Sequence, residues 1–263
     1  MIRSLAVAVV MVTTGGRAMA EHDHAFMMAQ DAHHDPDAPV SQFSASVSLE
    51  AARFDTGTYV GSYQGLLPTV GWSYGRFGVD ASLGLYRLEE NGLEVSGIGD
   101  AMASARLTVW SNEDLQTGVL LHLMVPTGDE LENLGMGHSM LMSSGWIHGQ
   151  VERVSLTASA GYSRALISLG GSQHNHGPMP LVDPMNLQEI AWSAGADVEV
   201  GARVHVGGHL LGGAPIGTGT NRVIGGGRVG WGTRRVSTDF ELQAGLAGDP
   251  FSIRGVLETA LRF

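Results

Sequence analysis

Strict alternation of apolar and polar residues runs through most of this chain and constrains its fold more than any other feature. Phe77, Val79 and Leu83 alternate with Asp80 and Ser82. A period of two places successive side chains on opposite faces of a β-strand. The sequence therefore predicts an all-β fold of about twelve strands, at 43–53, 65–74, 77–88, 100–110, 115–125, 139–148, 154–168, 187–200, 203–212, 221–231, 236–246 and 252–263.

The predicted connections alternate between long and short. The short ones are 75–76, 111–114, 149–153, 201–202 and 232–235, and the long ones are 54–64, 89–99, 126–138, 169–186 and 213–220, followed by 247–251. Outer-membrane barrels join their strands in this way, with tight periplasmic turns and longer outer loops. We therefore predict an antiparallel up-and-down transmembrane β-barrel whose two termini lie on the periplasmic side.

The last segment, SIRGVLETALRF, separates its charges onto one face. Ile253, Leu257 and Leu261 alternate with Arg254 and Glu258. We expect the uncharged face to contact lipid. We also expect this strand to pair with the first, because an open sheet edge in lipid leaves backbone groups unsatisfied. Its terminal phenylalanine resembles the C-terminal signature that the outer-membrane assembly machinery reads, which implies that machinery as a partner.

The N-terminus has the three parts of a secretory signal peptide. Arg3 provides a positive charge, 5–12 is an apolar run, and Ala18-Met19-Ala20 is a small-x-small cleavage site. The apolar run is far shorter than the roughly 20 residues that a membrane-spanning helix needs. We therefore expect cleavage after Ala20 and a location in the outer membrane of a Gram-negative bacterium. The predicted organisation is a signal peptide (1–20), a disordered periplasmic tail (21–41) and a membrane barrel (42–263).

Composition and missing motifs exclude several other classes. The net charge is −11 and no basic stripe appears, so we expect no nucleic-acid partner. The chain lacks HExxH, G-x-S-x-G and P-loop motifs, so we do not expect an enzyme, although His122 could pair with Ser104 or Ser82. A secreted β-sandwich also alternates but needs bulky residues on its core face. Here the apolar face is rich in Ala, Val, Leu and Gly, which favours the barrel.

The predicted strand phases place a set of ionisable side chains on the inner face of the barrel. One interpretation is a polar channel whose field selects solutes. The other is a ladder of cross-strand salt bridges that stabilises a narrow barrel. Both interpretations stay open for the set Arg106, His122, Glu189, Asp197, Glu199, Arg203, His205, His209, Arg222, Arg228, Asp239, Glu241, Arg254 and Glu258.

The tail at 21–41 is rich in histidine, aspartate and methionine. Its candidate metal ligands are His22, His24, His33 and His34. Imidazole suits zinc, copper and nickel, and thioether suits Cu(I). A metal-binding protein that acts through this tail is therefore an alternative function, and a solvated tail of biased composition is the other interpretation. A second group, His174, His176 and Met179, falls in the longest loop. We expect no other cofactor.

Two stretches resemble a known bacterial family. SGIGDAMASARLTVW (96–110) and LHLMVPTGDELENLGMG (121–137) are similar to the outer-membrane family labelled for the MetA pathway of phenol degradation. Its members are transporter-like barrels, so the resemblance implies a pore or transporter for a small solute that the sequence does not identify. A structural barrel without transport is a further alternative. The matching residues are Gly97, Gly99, Asp100, Pro126, Thr127, Gly128, Asp129, Gly135 and Gly137.

The glycines and aspartates of these two stretches have a physical interpretation of their own. Glycine supplies unusual backbone angles, and aspartate caps backbone amides in turns. We therefore expect Asp100 and Asp129 to shape the rim of the barrel rather than to bind a substrate.

Overall fold

The computed structural model describes residues 41–166, 182 and 185–263. Each strand pairs antiparallel with its neighbours in the chain, and the last pairs with the first. The predicted up-and-down barrel of twelve strands is therefore confirmed. The strands are β1 (Ser41–Asp55), β2 (Val60–Tyr74), β3 (Phe77–Glu90), β4 (Leu93–Ser111), β5 (Leu115–Val125), β6 (Met140–Val151), β7 (Val154–Ala165), β8 (Gln188–Gly201), β9 (Val204–Pro215), β10 (Arg222–Gly232), β11 (Val236–Ala247) and β12 (Phe251–Arg262).

The barrel closes where β12 meets β1. Leu257 lies opposite Leu49, and the backbone N–H of Phe263 donates to the carbonyl of Phe43 at 2.9 Å. The side chains of β12 face as predicted, because Leu257 is 40% exposed whereas Arg254 is 2% exposed. The uncharged face of this strand therefore points outward and its charged face points into the barrel.

The outer surface of the barrel is apolar. Every strand exposes large hydrophobic side chains, such as Leu49 on β1 and Leu121 on β5. Aromatic residues gather at the end that carries the termini: the ring of Trp72 lies 6.3 Å from those of both Tyr74 and Phe77. Trp110, Trp231 and Phe263 lie at the same end. This arrangement matches the apolar band and aromatic girdle of outer-membrane barrels. None of the described residues forms a helix long and apolar enough to span a membrane.

The largest differences from the predicted connections lie at two places. The predicted loop 89–99 shrinks to the turn Asn91-Gly92, and the predicted loop 54–64 shrinks to 56–59. Asn91 and Gly92 have φ of 49° and 81°, which a two-residue hairpin requires. Asn-Gly is a strong hairpin signal that the alternation alone did not reveal. As a result β1–β4 form two tall hairpins, and the longer connections are 126–139, 166–187 and 216–221.

Candidate functional site

The interior of the barrel carries a wall of ion pairs on β8–β12. Arg228 on β10 binds Asp197 on β8 with two parallel hydrogen bonds of 2.7 Å, and both side chains are buried. These strands are not neighbours, since β9 lies between them. Gly207 of β9 stands opposite both residues in the register. A Cβ there would lie 2.0 Å from Asp197 Oδ1, so the missing side chain is what lets the pair form.

The same arrangement recurs one strand further on. His205 Nε2 on β9 lies 2.8 Å from Asp239 Oδ1 on β11, across Gly230 of β10. A Cβ at Gly230 would lie 2.0 Å from the same Asp239 oxygen. A second pair on these strands joins His209 and Glu241 at 3.1 Å. Glycines on the inner face therefore let arginine and histidine side chains contact carboxylates across an intervening strand.

A further ion pair fastens the connections at the loop end. Arg222 donates to Glu189 Oε1 at 3.0 Å and lies 3.7 Å from Asp249 Oδ2. Asn186 donates to the other Glu189 oxygen at 2.5 Å and accepts the backbone N–H of Thr220 at 2.9 Å. Burial raises the pKa of the Asp249 carboxyl, and the nearby Arg222 opposes that shift. These contacts therefore join Asn186, which precedes β8, to the connection 216–221, and bring the connection 248–250 close to Arg222.

Arg254 connects the charged wall to an apolar part of the lumen. Its Nε donates to Gln243 Oε1 at 2.7 Å, and its Nη1 donates to the hydroxyl of Tyr63 at 3.4 Å. Its guanidinium group also lies 4.6 Å from the ring centroid of Phe251. The charge is thus held by polar partners and by an aromatic face.

Polar side chains also line the inner face of β2–β7, where Asp80 and Arg106 are half-buried. Thr69, Thr108, His148 and Ser163 are buried there. The Ser/His pair that the sequence allowed also forms on this wall: Ser104 Oγ lies 2.7 Å from His122 Nδ1. The two residues stand opposite each other on β4 and β5. The contact is therefore a hydrogen bond between neighbouring strands that engages one ring nitrogen of a buried histidine.

The structure places most of the predicted lumen residues inside the barrel. Arg106 and His205 are half-buried, and Glu199 is exposed near the turn end of β8. Arg203 requires a correction: it lies exposed in the turn 202–203, because β9 begins at Val204. The buried members are His122, Glu189, Asp197, His209, Arg222, Arg228, Asp239, Glu241, Arg254 and Glu258.

Two apolar clusters lie in the lumen at the loop end, and sequence reasoning assigned neither. We call them the aromatic cluster and the methionine cluster. Each combines inward residues of strands with residues of loops. The aromatic cluster consists of Ala52, Phe54, Tyr63, Leu67, Tyr86, Leu88, Leu134, Val182, Leu211, Ile224 and Phe251. The methionine cluster consists of Met102, Met124, Met136, Met140, Met142 and Met185.

Asp100 fixes the loop 126–139 inside the mouth of the barrel. Its carboxylate accepts the backbone N–H of Gly128 at 2.9 Å and that of Met136 at 2.7 Å. Asp100 is buried, and so are Leu134 and Met136. Leu134 belongs to the aromatic cluster and Met136 to the methionine cluster. The loop therefore folds inward and contributes to both clusters.

The other residues of the two motif stretches complete this contact. Thr127 donates to the carbonyl of Gly99 at 2.7 Å and accepts the N–H of Ala101 at 2.8 Å. A Cβ at Gly135 would lie 2.5 Å from Asp100 Oδ1. Asp129 is exposed and accepts the N–H of Leu131 within its own turn at 2.9 Å. The two stretches thus interlock at the rim, and of their two aspartates only Asp100 is buried.

The candidate metal ligands of the sequence lie outside the described residues. His22, His24, His33 and His34 precede Ser41, and the pair His174 and His176 falls between 166 and 182. Among residues 41–166, 182 and 185–263, no group of three or more His, Cys, Asp and Glu side chains is arranged to hold a metal ion.

Comparison with known proteins agrees with this architecture. The family model described as "Putative MetA-pathway of phenol degradation" matches residues 34–166, just over half of the chain. No curated protein sequence matches the chain.

Solved structures of membrane channels share the fold. The COG4313 outer membrane channel from Pseudomonas putida F1 superposes with a TM-score of 0.64 at 12% identity, covering 86% of this chain and 96% of that one. The KdgM porin gives 0.54 at 8% identity, covering 83% and 99%. The KdgM porin in complex with disordered oligogalacturonate gives 0.56 at 8% identity, covering 84% and 99%. At such identities the likeness concerns the fold.

Proposed function

We propose, from the premise that this chain belongs to the family described as putative MetA-pathway of phenol degradation, that it is an outer-membrane channel for small solutes. Its closed barrel is the fold of outer-membrane channels. After removal of a signal peptide at Ala20, the assembly machinery would insert it with the apolar surface in lipid.

The observation that carries this proposal is the charged wall of the lumen. Charges cost free energy when they leave water, and a barrel that serves only as a structure is filled more favourably by apolar side chains. This barrel instead buries Asp197, Arg228, Asp239 and Glu241 on its inner face, and further polar side chains line the opposite wall. A lining of this kind supports the passage of polar or charged solutes.

The inward loop would set the resistance of the channel. The loop 126–139 contributes Leu134 and Met136 to the clusters at the loop end of the lumen, and Asp100 holds it there. A solute that crosses must pass this constriction. We therefore assign the loop a role in limiting conductance. A loop that lay only on the outer rim would have no such role.

Single-channel recording of the full mature chain in planar bilayers tests the proposal. A channel gives discrete, steady conductance steps. A structural barrel without transport gives none, even though it remains folded. The alternative of a metal-binding protein that acts through His22, His24, His33 and His34 stays a prediction, as does the expectation that the chain is not an enzyme.

A further inference from the structure

The methionine cluster places six thioethers inside the barrel, and conduction of solutes does not explain them. Four members face inward from strands: Met102 on β4, Met124 on β5, and Met140 and Met142 on β6. The loops supply the other two. None of the six is more than 8% exposed. Every methionine among the described residues belongs to this one cluster.

We propose that the methionine cluster is a binding site for a soft monovalent cation, Cu(I), with Ag(I) as its chemical analogue. Thioethers are soft ligands that favour Cu(I) over the harder divalent ions. They carry no charge and no exchangeable proton, so the site binds the ion as Cu(I) without any redox step. The proposal does not depend on conduction and stands apart from the His-rich tail.

The strand register brings the thioethers together. Met124 stands opposite Met102 on one side and opposite Met140 on the other. Residues that face each other across antiparallel strands have Cβ atoms about 4.5–5.5 Å apart. Flexible methionine side chains at this spacing can converge on one ion. Met142 stands opposite His122, so an imidazole borders the group.

The two loop methionines are held in place by polar contacts near them. The N–H of Met136 donates to the buried Asp100 carboxylate at 2.7 Å. Met185 directly precedes Asn186, which is bound to Glu189 and to the backbone of Thr220. Met136 and Met185 are thus each fixed next to a polar anchor, beside the thioethers of the strands.

Simple packing would not separate the residue types in this way. The aromatic cluster fills the same end of the lumen with Leu, Tyr, Phe and other apolar residues and contains no methionine. Leucine packs a core with better-defined rotamers than methionine does. All six methionines of the described residues lie in one cluster. A metal site requires such a grouping of sulfur ligands, whereas a core that only fills space does not require it.

Copper titration of the full mature chain tests this site. The folded protein in detergent is titrated anaerobically with Cu(I) against a chromophoric chelator, and X-ray absorption reports the sulfur ligands. Met124→Leu with Met140→Leu keeps the volume nearly constant. We expect the double variant to lose one tightly bound Cu(I) per chain together with its sulfur scattering. Equal sulfur-bound copper in both proteins, or none in the wild type, overturns the proposal.

Leu211→Met is the matched control, because it adds a thioether to the aromatic cluster. We expect it to leave the bound copper unchanged, and a gain equal to one ion would mean that any buried methionine suffices and so would overturn the assignment.

A second measurement decides the question even if the double variant fails to fold. Wild-type protein labelled with carbon-13 at the methionine methyl groups is titrated with Ag(I) and followed by NMR. We expect several cluster resonances to shift together at one equivalent of the ion. Shifts confined to the tail residues Met27 and Met28, or no shifts at all, overturn the proposal.

Discussion

Asp100 on β4 holds Met136, 36 residues further along the chain, by accepting its backbone N–H at 2.7 Å. A second N–H, that of Gly128, donates to the other carboxylate oxygen. The carboxylate is buried, so both bonds lie away from bulk water. This side chain, together with Thr127, therefore holds the loop 126–139 inside the mouth of the barrel.

Replacement of Asp100 by alanine should release the loop. Hydrogen bonds to charged groups are worth about 1.5–3 kcal/mol each, and about 1.4 kcal/mol shifts a population tenfold. We expect single-channel conductance to increase several-fold. Asp129→Ala is the control, since Asp129 is exposed and its side chain caps only its own turn. Equal conductance for both variants and the wild type would mean that the loop does not limit conductance.

Replacement of Gly207 by alanine should break the Arg228–Asp197 pair. The new Cβ would lie 2.0 Å from Asp197 Oδ1. We expect a loss of about 1–3 kcal/mol in the free energy of unfolding, the usual cost of overpacking, measured by urea titration in detergent. Gly227→Ala is the matched control, because the nearest atom to its Cβ is 3.9 Å away. Equal stability of the two variants would contradict the crossed pairing.

The proposed channel should prefer cations. Seven carboxyl side chains are buried in the described residues against three arginines, and a lining with excess carboxylate favours cations. We expect the reversal potential in a salt gradient to have the sign of cation selectivity, and Glu258→Gln to reduce it. Glu113→Gln, in the exposed turn 112–114, is the control. Anion selectivity of the wild type would refute this charge argument.

The tail should bind metal independently of the barrel, if the interpretation of its composition is right. We expect calorimetry of the 21–41 peptide with Cu(II) to give heat at micromolar concentrations, because four imidazoles are available. Replacement of His22, His24, His33 and His34 by alanine should abolish that heat. If the unchanged peptide gives no heat with Cu(II), the tail does not bind metal and is a solvated segment of biased composition.

Alternation predicted the fold because a membrane barrel imposes one rule on every strand. Lipid outside and an enclosed interior favour a period of two, which runs through strands such as β2 and is interrupted where the register shifts, as between Thr108 and Trp110. It also assigned the faces of β12 correctly, with Leu257 outside and Arg254 inside. The boundaries were less accurate: Arg203 belongs to a turn, and the Asn91-Gly92 hairpin was hidden in a predicted long loop.

The contacts between interior side chains could not be predicted from the alternation, because a period of two specifies the face of a residue and not its partner. The pair Arg228–Asp197 crosses a strand, which depends on the register and on Gly207. The sequence contains only a weak indication of the methionine cluster. Met102 shares the polar face of β4 with Ser104, an unusual position for an apolar residue. A methionine out of phase with the outer belt can thus point to a lumen contact.

The most direct test of the channel is the single-channel conductance of the folded mature protein, measured beside that of its Asp100→Ala variant. We expect steady, discrete steps in the wild type and larger steps in the variant. Silence from both proteins, with folding verified by the heat-dependent mobility of the barrel on a gel, would contradict this expectation.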